Sequence, residues 1–138
     1  MSLLNIEHLE VTYKGKSRKK DFRALKGVSL DIRPGECVGL VGESGSGKTT
    51  LGRAVLGLAP VTSGSIQLNG QEISQASRHE RRDLARDIQV VFQDPYSSLN
   101  PSMSIEQILA EPMMIRDWKK DAATKRVREL LDSVGLPS

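Results

Sequence analysis

Cysteine is nearly missing from this chain: Cys37 stands alone among 138 residues, so no internal disulfide can form and a reducing compartment is expected. Its apolar neighbours Val38, Leu40 and Val41 predict a packed thiol, not a nucleophile. Long hydrophobic runs are also lacking, and nothing reaches the roughly 18 residues that a membrane span needs. The stretch from Met1 to Glu7 shows no basic segment followed by a long apolar one, so the expectation is a soluble, cytoplasmic chain whose membrane role comes through a partner. Charge of one sign is not in excess either. Twenty Lys and Arg against seventeen Asp and Glu leave a formal +3, too mild a balance to imply nucleic acid. No internal repeat and no low-complexity tract is present, and the length allows one domain with a real core.

The charge that is present is unevenly spread. Lys14, Lys16, Arg18, Lys19, Lys20 and Arg23 crowd one short stretch opposed only by Asp21. Such a run fits an anionic partner or lipid surface, or a solvated hairpin loop; the loop is favoured because charge runs are common on surfaces.

The most specific feature is Gly42-Glu43-Ser44-Gly45-Ser46-Gly47-Lys48-Thr49, which fits G-x-x-x-x-G-K-[ST] at every fixed position. With ordinary residue usage those positions coincide by chance in roughly one chain in a few hundred of this length. The glycines let the backbone turn tightly and aim N–H groups at phosphate oxygens, Lys48 reaches the β and γ phosphates, and Thr49 offers a hydroxyl to Mg²⁺. Thr50 completes the candidate set. The context agrees. Cys37-Val38-Gly39-Leu40-Val41 reads as a strand buried on both faces, and Leu51, Ala54, Val55 and Leu58 follow at helical spacing. Phosphates would then lie at a helix N-terminus, where unpaired N–H groups and the dipole favour anions.

Leu4/Ile6 and Leu9/Val11/Tyr13 alternate with polar residues, with a slip between the pairs that predicts a bulge; Val28/Leu30/Ile32 alternate again, giving a hairpin. Arg33-Pro34-Gly35-Glu36 is a turn. Pro60 and Ser63-Gly64 break the chain, Ile66 and Leu68 form a short strand, and Asn69-Gly70 a tight turn. Residues 77–86 predict a polar helix, and Ile88 to Phe92 another strand, ending in Gln93-Asp94-Pro95. Ser104 caps a helix with Gln107 completing a capping box and Ile105, Ile108 and Leu109 as its apolar face; Pro112 should end or kink it. A last helix carries Ala123, Val127, Leu130 and Val134, and Gly135 and Pro137 stop it.

A P-loop enzyme normally has a second apolar strand ending in Asp to hold Mg²⁺. The only candidate is Ile88 to Asp94, at a distance from Lys48 that a small GTPase or kinase also uses. Gln93 intervenes before the acid, however, and no Asn-Lys-x-Asp guanine-reading motif is present. A GTPase or small kinase is therefore the lesser alternative.

The run Val91-Phe92-Gln93-Asp94-Pro95-Tyr96-Ser97-Ser98-Leu99-Asn100-Pro101 resembles the signature around the Q-loop in ABC transporter ATP-binding subunits of the dipeptide, oligopeptide and nickel importer group. Leu25-Lys26-Gly27-Val28-Ser29-Leu30, Pro34-Gly35-Glu36 and the phosphate loop fall in that family's order and spacing, and the likeness extends from about Leu3 to Leu136. Ser102 departs from it, where many members carry Arg. The resemblance implies an α/β fold: a P-loop NTPase (ABC ATPase) core, incomplete, with an N-terminal antiparallel β-subdomain over about 3–33 and 64–70. The core would take 36–58 and 87–94, and the start of a helical subdomain 102–138. It implies ATP and Mg²⁺ as ligands. Tyr13 would stack on adenine, and Gln93 would help hold Mg²⁺ or the attacking water and report the γ-phosphate to the membrane subunits. With Lys48, Gln93 would form the catalytic set, and with Thr49 the metal set.

Partners implied by the resemblance are transmembrane permease subunits and a second ATP-binding subunit, with the chain peripheral on the inner face of the cell membrane. The Met113, Met114, Ile115 and Trp118 cluster either docks the permease or packs within its own subdomain. Within the 138 residues there is no Leu-Ser-Gly-Gly-Gln signature, no apolar strand ending in Asp-Glu and no switch histidine, since His8 and His79 are wrongly placed. The expectation is the N-terminal, ATP-binding portion of an importer ATPase for peptides or nickel, inactive alone and exposing an unpaired apolar edge. The alternative is a catalytically inert nucleotide-binding or interaction fragment.

Overall fold

The computed structural model describes residues 2–15, 20–94 and 98–137, so Lys16, Arg18 and Lys19 of the basic stretch and Pro95-Tyr96-Ser97 of the Q-loop run lie outside it. It divides into two compact units, Met1–Gln89 and Val90–Ser138.

Apolar/polar alternation builds the first unit. Strands β1 (Leu4–Tyr13) and β2 (Phe22–Ile32) form the expected hairpin, β3 (Val61–Leu68) pairs on the other side of β1, and β4 (Gln71–Glu72) closes an antiparallel sheet of order β2-β1-β3-β4. The predicted slip is real: the register shifts between Ile6 and Leu9, and His8 takes φ 47°. Gly64 faces that bulge at φ 86°, and a Cβ there would strike the carbonyl oxygens of Glu7 and His8. Ser63-Gly64 is therefore no break, contrary to expectation. The strand starts at Val61 and runs through it, because glycine alone passes the bulge. Asn69 and Gly70, at φ 50° and 78°, make the tight turn between β3 and β4. The Arg33–Glu36 turn closes through the Glu36 N–H donating to the Arg33 carbonyl at 3.1 Å.

Helix α1 (Lys48–Val55) buries Leu51 and Ala54 in the core formed by Ile6, Leu9 and Val11 of β1, Leu25 of β2 and Ile66 of β3. Each large side chain fully buried there stabilises the fold by about 2 kcal/mol. The helix does not continue to Leu58 as its spacing predicts. Gly57 takes φ 72°, with its N–H donating to the Ala54 carbonyl at 3.0 Å and the Leu58 N–H to the Arg53 carbonyl at 2.7 Å, so the chain leaves the helix and Leu58 is exposed. Helix α2 (Arg78–Leu84) starts at a complete Ser77–Glu80 capping box, whose hydrogen bonds from Ser77 hold the Glu80 carboxyl below its ordinary range.

In the second unit, α3 (Ile105–Met114) starts at the predicted Ser104–Gln107 box. Pro112 does not end it; the helix runs on to Met114 and closes where Asp117 takes φ 60°. Helix α4 (Lys120–Ser133) packs on α3 through buried Ala123 and Val127 and half-buried Leu130, and Thr124 donates to Glu106 at 2.9 Å. Val134 falls outside and is exposed, and Gly135 at φ 73° terminates the helix as expected. Met113 is half-buried while Met114, Ile115 and Trp118 are exposed.

Two expected strands are not formed. Residues 37–41 and 88–92 have irregular backbone, Val41 is 95% and Val91 98% exposed, and Cys37 is an exposed thiol, not a packed one. A buried parallel strand exists only with ladder partners for its N–H and C=O groups, and among the described residues neither segment belongs to the sheet. No helix among the described residues is long and apolar enough to cross a membrane.

Candidate nucleotide-binding site

The loop from Gly42 to Gly47 runs straight into α1, and its seat is β2. Gly47 sits at φ 101°, and a Cβ on it would come within 2.7 Å of Leu25 Cδ2 and 3.1 Å of the Ala24 carbonyl oxygen. Only glycine combines this left-handed backbone with so close an approach. Lys48 folds back under the loop, its Nζ donating to the carbonyls of Gly42 (2.6 Å) and Glu43 (2.7 Å) and to Ser46 Oγ (3.3 Å). A compact ammonium is thereby fixed at the loop's centre while the loop itself stays exposed. Helix α1 has neither a side-chain cap nor an acidic residue in its first turn, whereas α2 and α3 close theirs with capping boxes. Its leading N–H groups are therefore left for an external acceptor.

A cavity of about 500 Å³ opens over this turn, lined by Ser44, Gly45, Gly47, Lys48, Thr49, Thr50 and Phe22. Gly42, Glu43 and Ser46 complete the loop beneath, at Lys48. Tyr13 does not line this cavity; it is half-buried against the core, and Phe22 is its directly opposed partner across the hairpin. Phe22, 63% exposed, was not singled out from the sequence. The signal was there in part, since a hairpin closing on Tyr13 has to place some residue opposite it. Gln93 belongs to the second unit, exposed and outside any helix or strand.

Another cavity of about 490 Å³ adjoins the C-terminal end of α1, among Leu58, Pro60, Ser74 and Arg81. Its Arg81 guanidinium is already engaged, donating to the Val55 carbonyl at 2.7 Å and to the Ile73 carbonyl, and burial lowers its pKa. The loop differs in the uncapped N–H groups at the start of α1, which suit phosphate.

The family model described as ABC transporter matches residues 25–138. The chain belongs to this family. Among its ABC transporter relatives, the oligopeptide transport ATP-binding protein OppF of Lactococcus lactis subsp. lactis (strain IL1403) is 47% identical over 143 residues, covering 98% of the chain and 44% of OppF. The oligopeptide transport ATP-binding protein OppD of Mycobacterium tuberculosis (strain ATCC 25618 / H37Rv) is 44% identical over 97% of the chain and 23% of its own length. The di/tripeptide transport ATP-binding protein DppF of Pseudomonas aeruginosa (strain UCBPP-PA14) is 43% identical over 94% and 40%. The chain thus spans less than half the length of these curated relatives.

Among solved structures, cbiO1 of Clostridium perfringens, part of the ABC transporter complex cbiONQ, superposes with a TM-score of 0.74 at 30% identity, covering 98% of the chain and 51% of cbiO1. The dimeric ABC transporter cassette MJ0796 gives 0.74 at 24% identity over 94% and 56%, a likeness of fold. An antiparallel sheet with a phosphate-type loop and helices is accordingly part of an ABC cassette, and the α/β, P-loop class expected from the sequence holds.

Proposed function

We propose that this chain is the ATP-binding portion of an ABC importer ATPase that couples ATP binding and hydrolysis to uptake of peptides across a membrane. The observation that carries this is the loop: a glycine-seated turn, a centred ammonium and an uncapped helix N-terminus converge on one open cavity. Those donors fit a nucleotide's phosphates, which need several N–H groups and a cation without competing carboxylates.

In this reading residues 44–50 cradle the phosphates and Lys48 takes the β and γ oxygens. Thr49 supplies the hydroxyl for Mg²⁺, which usually keeps few protein ligands beside the phosphates. When bound, the metal neutralises phosphate charge. By the resemblance we assign Gln93 the role of a neutral amide for Mg²⁺ or water, and Tyr13 that of a ring suited to stacking on the base. Transmembrane permease subunits and a second ATP-binding subunit complete the machine, which places the chain on the inner face of the membrane. Peptide cargo is favoured over nickel because the three relatives above are named for oligopeptides or di/tripeptides.

Lys48→Ala tests the assignment. Titration calorimetry with MgATP should show binding weakened by about 30-fold or more, the scale of one lost charge-assisted phosphate contact. Equal affinity in wild type and variant, with the fold intact by circular dichroism, sinks it.

A further inference from the structure

We propose that the cavity at the C-terminal end of α1 binds a small amphipathic anion, a carboxylate joined to a straight apolar chain, with Arg78 taking the charge. The cavity has a local origin. Gly57 at φ 72° turns the chain out of α1, and Leu56, Leu58 and Pro60 then supply apolar lining, Leu58 being 64% exposed. Residues 74–78 supply the polar lining. They are held by the Ala76 N–H, which donates to the Ile73 carbonyl at 3.2 Å, and by Gln75 Nε2, which donates to the Val61 carbonyl of β3 at 3.3 Å. The enclosed space of about 490 Å³ lies within the range of small-molecule sites.

Charge and apolar surface together define the ligand class. The lining carries two guanidinium groups, Arg78 and Arg81, and no carboxylate. The acids that flank it in sequence are engaged with backbone N–H groups, Glu72 with those of Ile66 and Ser74 and Glu80 with that of Ser77. Arg81 donates only to the neutral Val55 and Ile73 carbonyls, so its charge is not cancelled. Among the described residues the Arg78 side chain has no ion pair or hydrogen bond, which leaves its planar fork for an external carboxylate. An inorganic anion would leave Leu58, Pro60 and Val61 in water, whereas an alkyl chain covers them. Helix α1 is about 12 Å long, so this cavity and the phosphate loop lie at its opposite ends and can be filled together.

Amide NMR titration of the whole chain with octanoate, hexanoate, acetate and octanol tests this. Octanoate should give saturable shifts at Leu58, Ala59, Val61 and Ala76, and should bind about tenfold tighter than hexanoate, the effect of two methylenes leaving water. Acetate and octanol, each lacking one part of that ligand, should bind more weakly than octanoate by about tenfold or more. Arg78→Gln should weaken octanoate about tenfold and leave octanol unchanged. Arg78→Lys, which keeps a point charge without the fork, should weaken octanoate about threefold, and it carries the test if Arg78→Gln fails to fold. Octanoate affinity unaltered by these substitutions overturns the proposal, as does acetate binding as tightly as octanoate. Loss of octanoate binding in Lys48→Ala would move the ligand to the phosphate loop and overturn it too.

Discussion

Gly47 is the residue on which the loop's position turns, and alanine there meets two obstacles at once. The backbone is in the left-handed region, and the new methyl would press on Leu25 and the Ala24 carbonyl. Gly47→Ala should cost about 1–3 kcal/mol in urea unfolding, the scale of a strained backbone position. It should also lift the loop from β2. An unchanged midpoint together with unchanged MgATP affinity would show that the loop does not depend on this seat. Gly47, Lys48 and Thr49 were legible in the sequence because their chemistry is local: spacing alone defines a turn followed by a helix. Phe22 was not, because its place depends on how the hairpin's register shifts between Val11 and Thr12, and no residue pattern announces that shift.

At the scale of elements, Arg81 does for the far end of α1 what glycine does for the near end. Its guanidinium lies over Gly57 and donates to the last helical carbonyl, Val55, and to Ile73, tying α1 to the segment that leads into α2. Burial penalises the cation, which is why its pKa falls, and two carbonyl acceptors offset that penalty. Arg81→Ala should therefore destabilise the first unit by about 2 kcal/mol, since two carbonyls lose a shared charged donor. Arg81→Lys should recover only part of this, because a point charge cannot reproduce the guanidinium fork. Chemical denaturation reads both, and a neutral Arg81→Ala would remove the tie.

Other elements were legible for the same local reasons. The Ser77 and Ser104 capping boxes, the Asn69-Gly70 turn and the Gly135 stop each follow from a few adjacent residues. The strands expected at 37–41 and 88–92 were not decidable locally. An apolar run states which environment suits it, and only a neighbouring strand makes that environment.

For the 138 residues taken together, the balance of parts predicts binding without turnover. The 138 residues hold the phosphate loop and Gln93 but contain no apolar strand ending in Asp-Glu to polarise water. Hydrolysis relies on positioning and electrostatics, so a missing part is not made up elsewhere. A phosphate-release assay on the purified chain should stay at background while MgATP binding is measurable; turnover that disappears in Lys48→Ala would contradict this.

The exposed segment 37–41 abuts the first residue of the loop, Gly42, and that junction has a thermodynamic corollary. Any strand laid alongside it would fix Gly42, and so a carbonyl that holds the Lys48 ammonium, before a ligand arrives. Linkage is reciprocal: by whatever factor such pairing tightens the hold on nucleotide, nucleotide tightens the pairing. The affinity of this loop is then a gauge of whether its neighbouring edge is covered, readable without ever observing the cover.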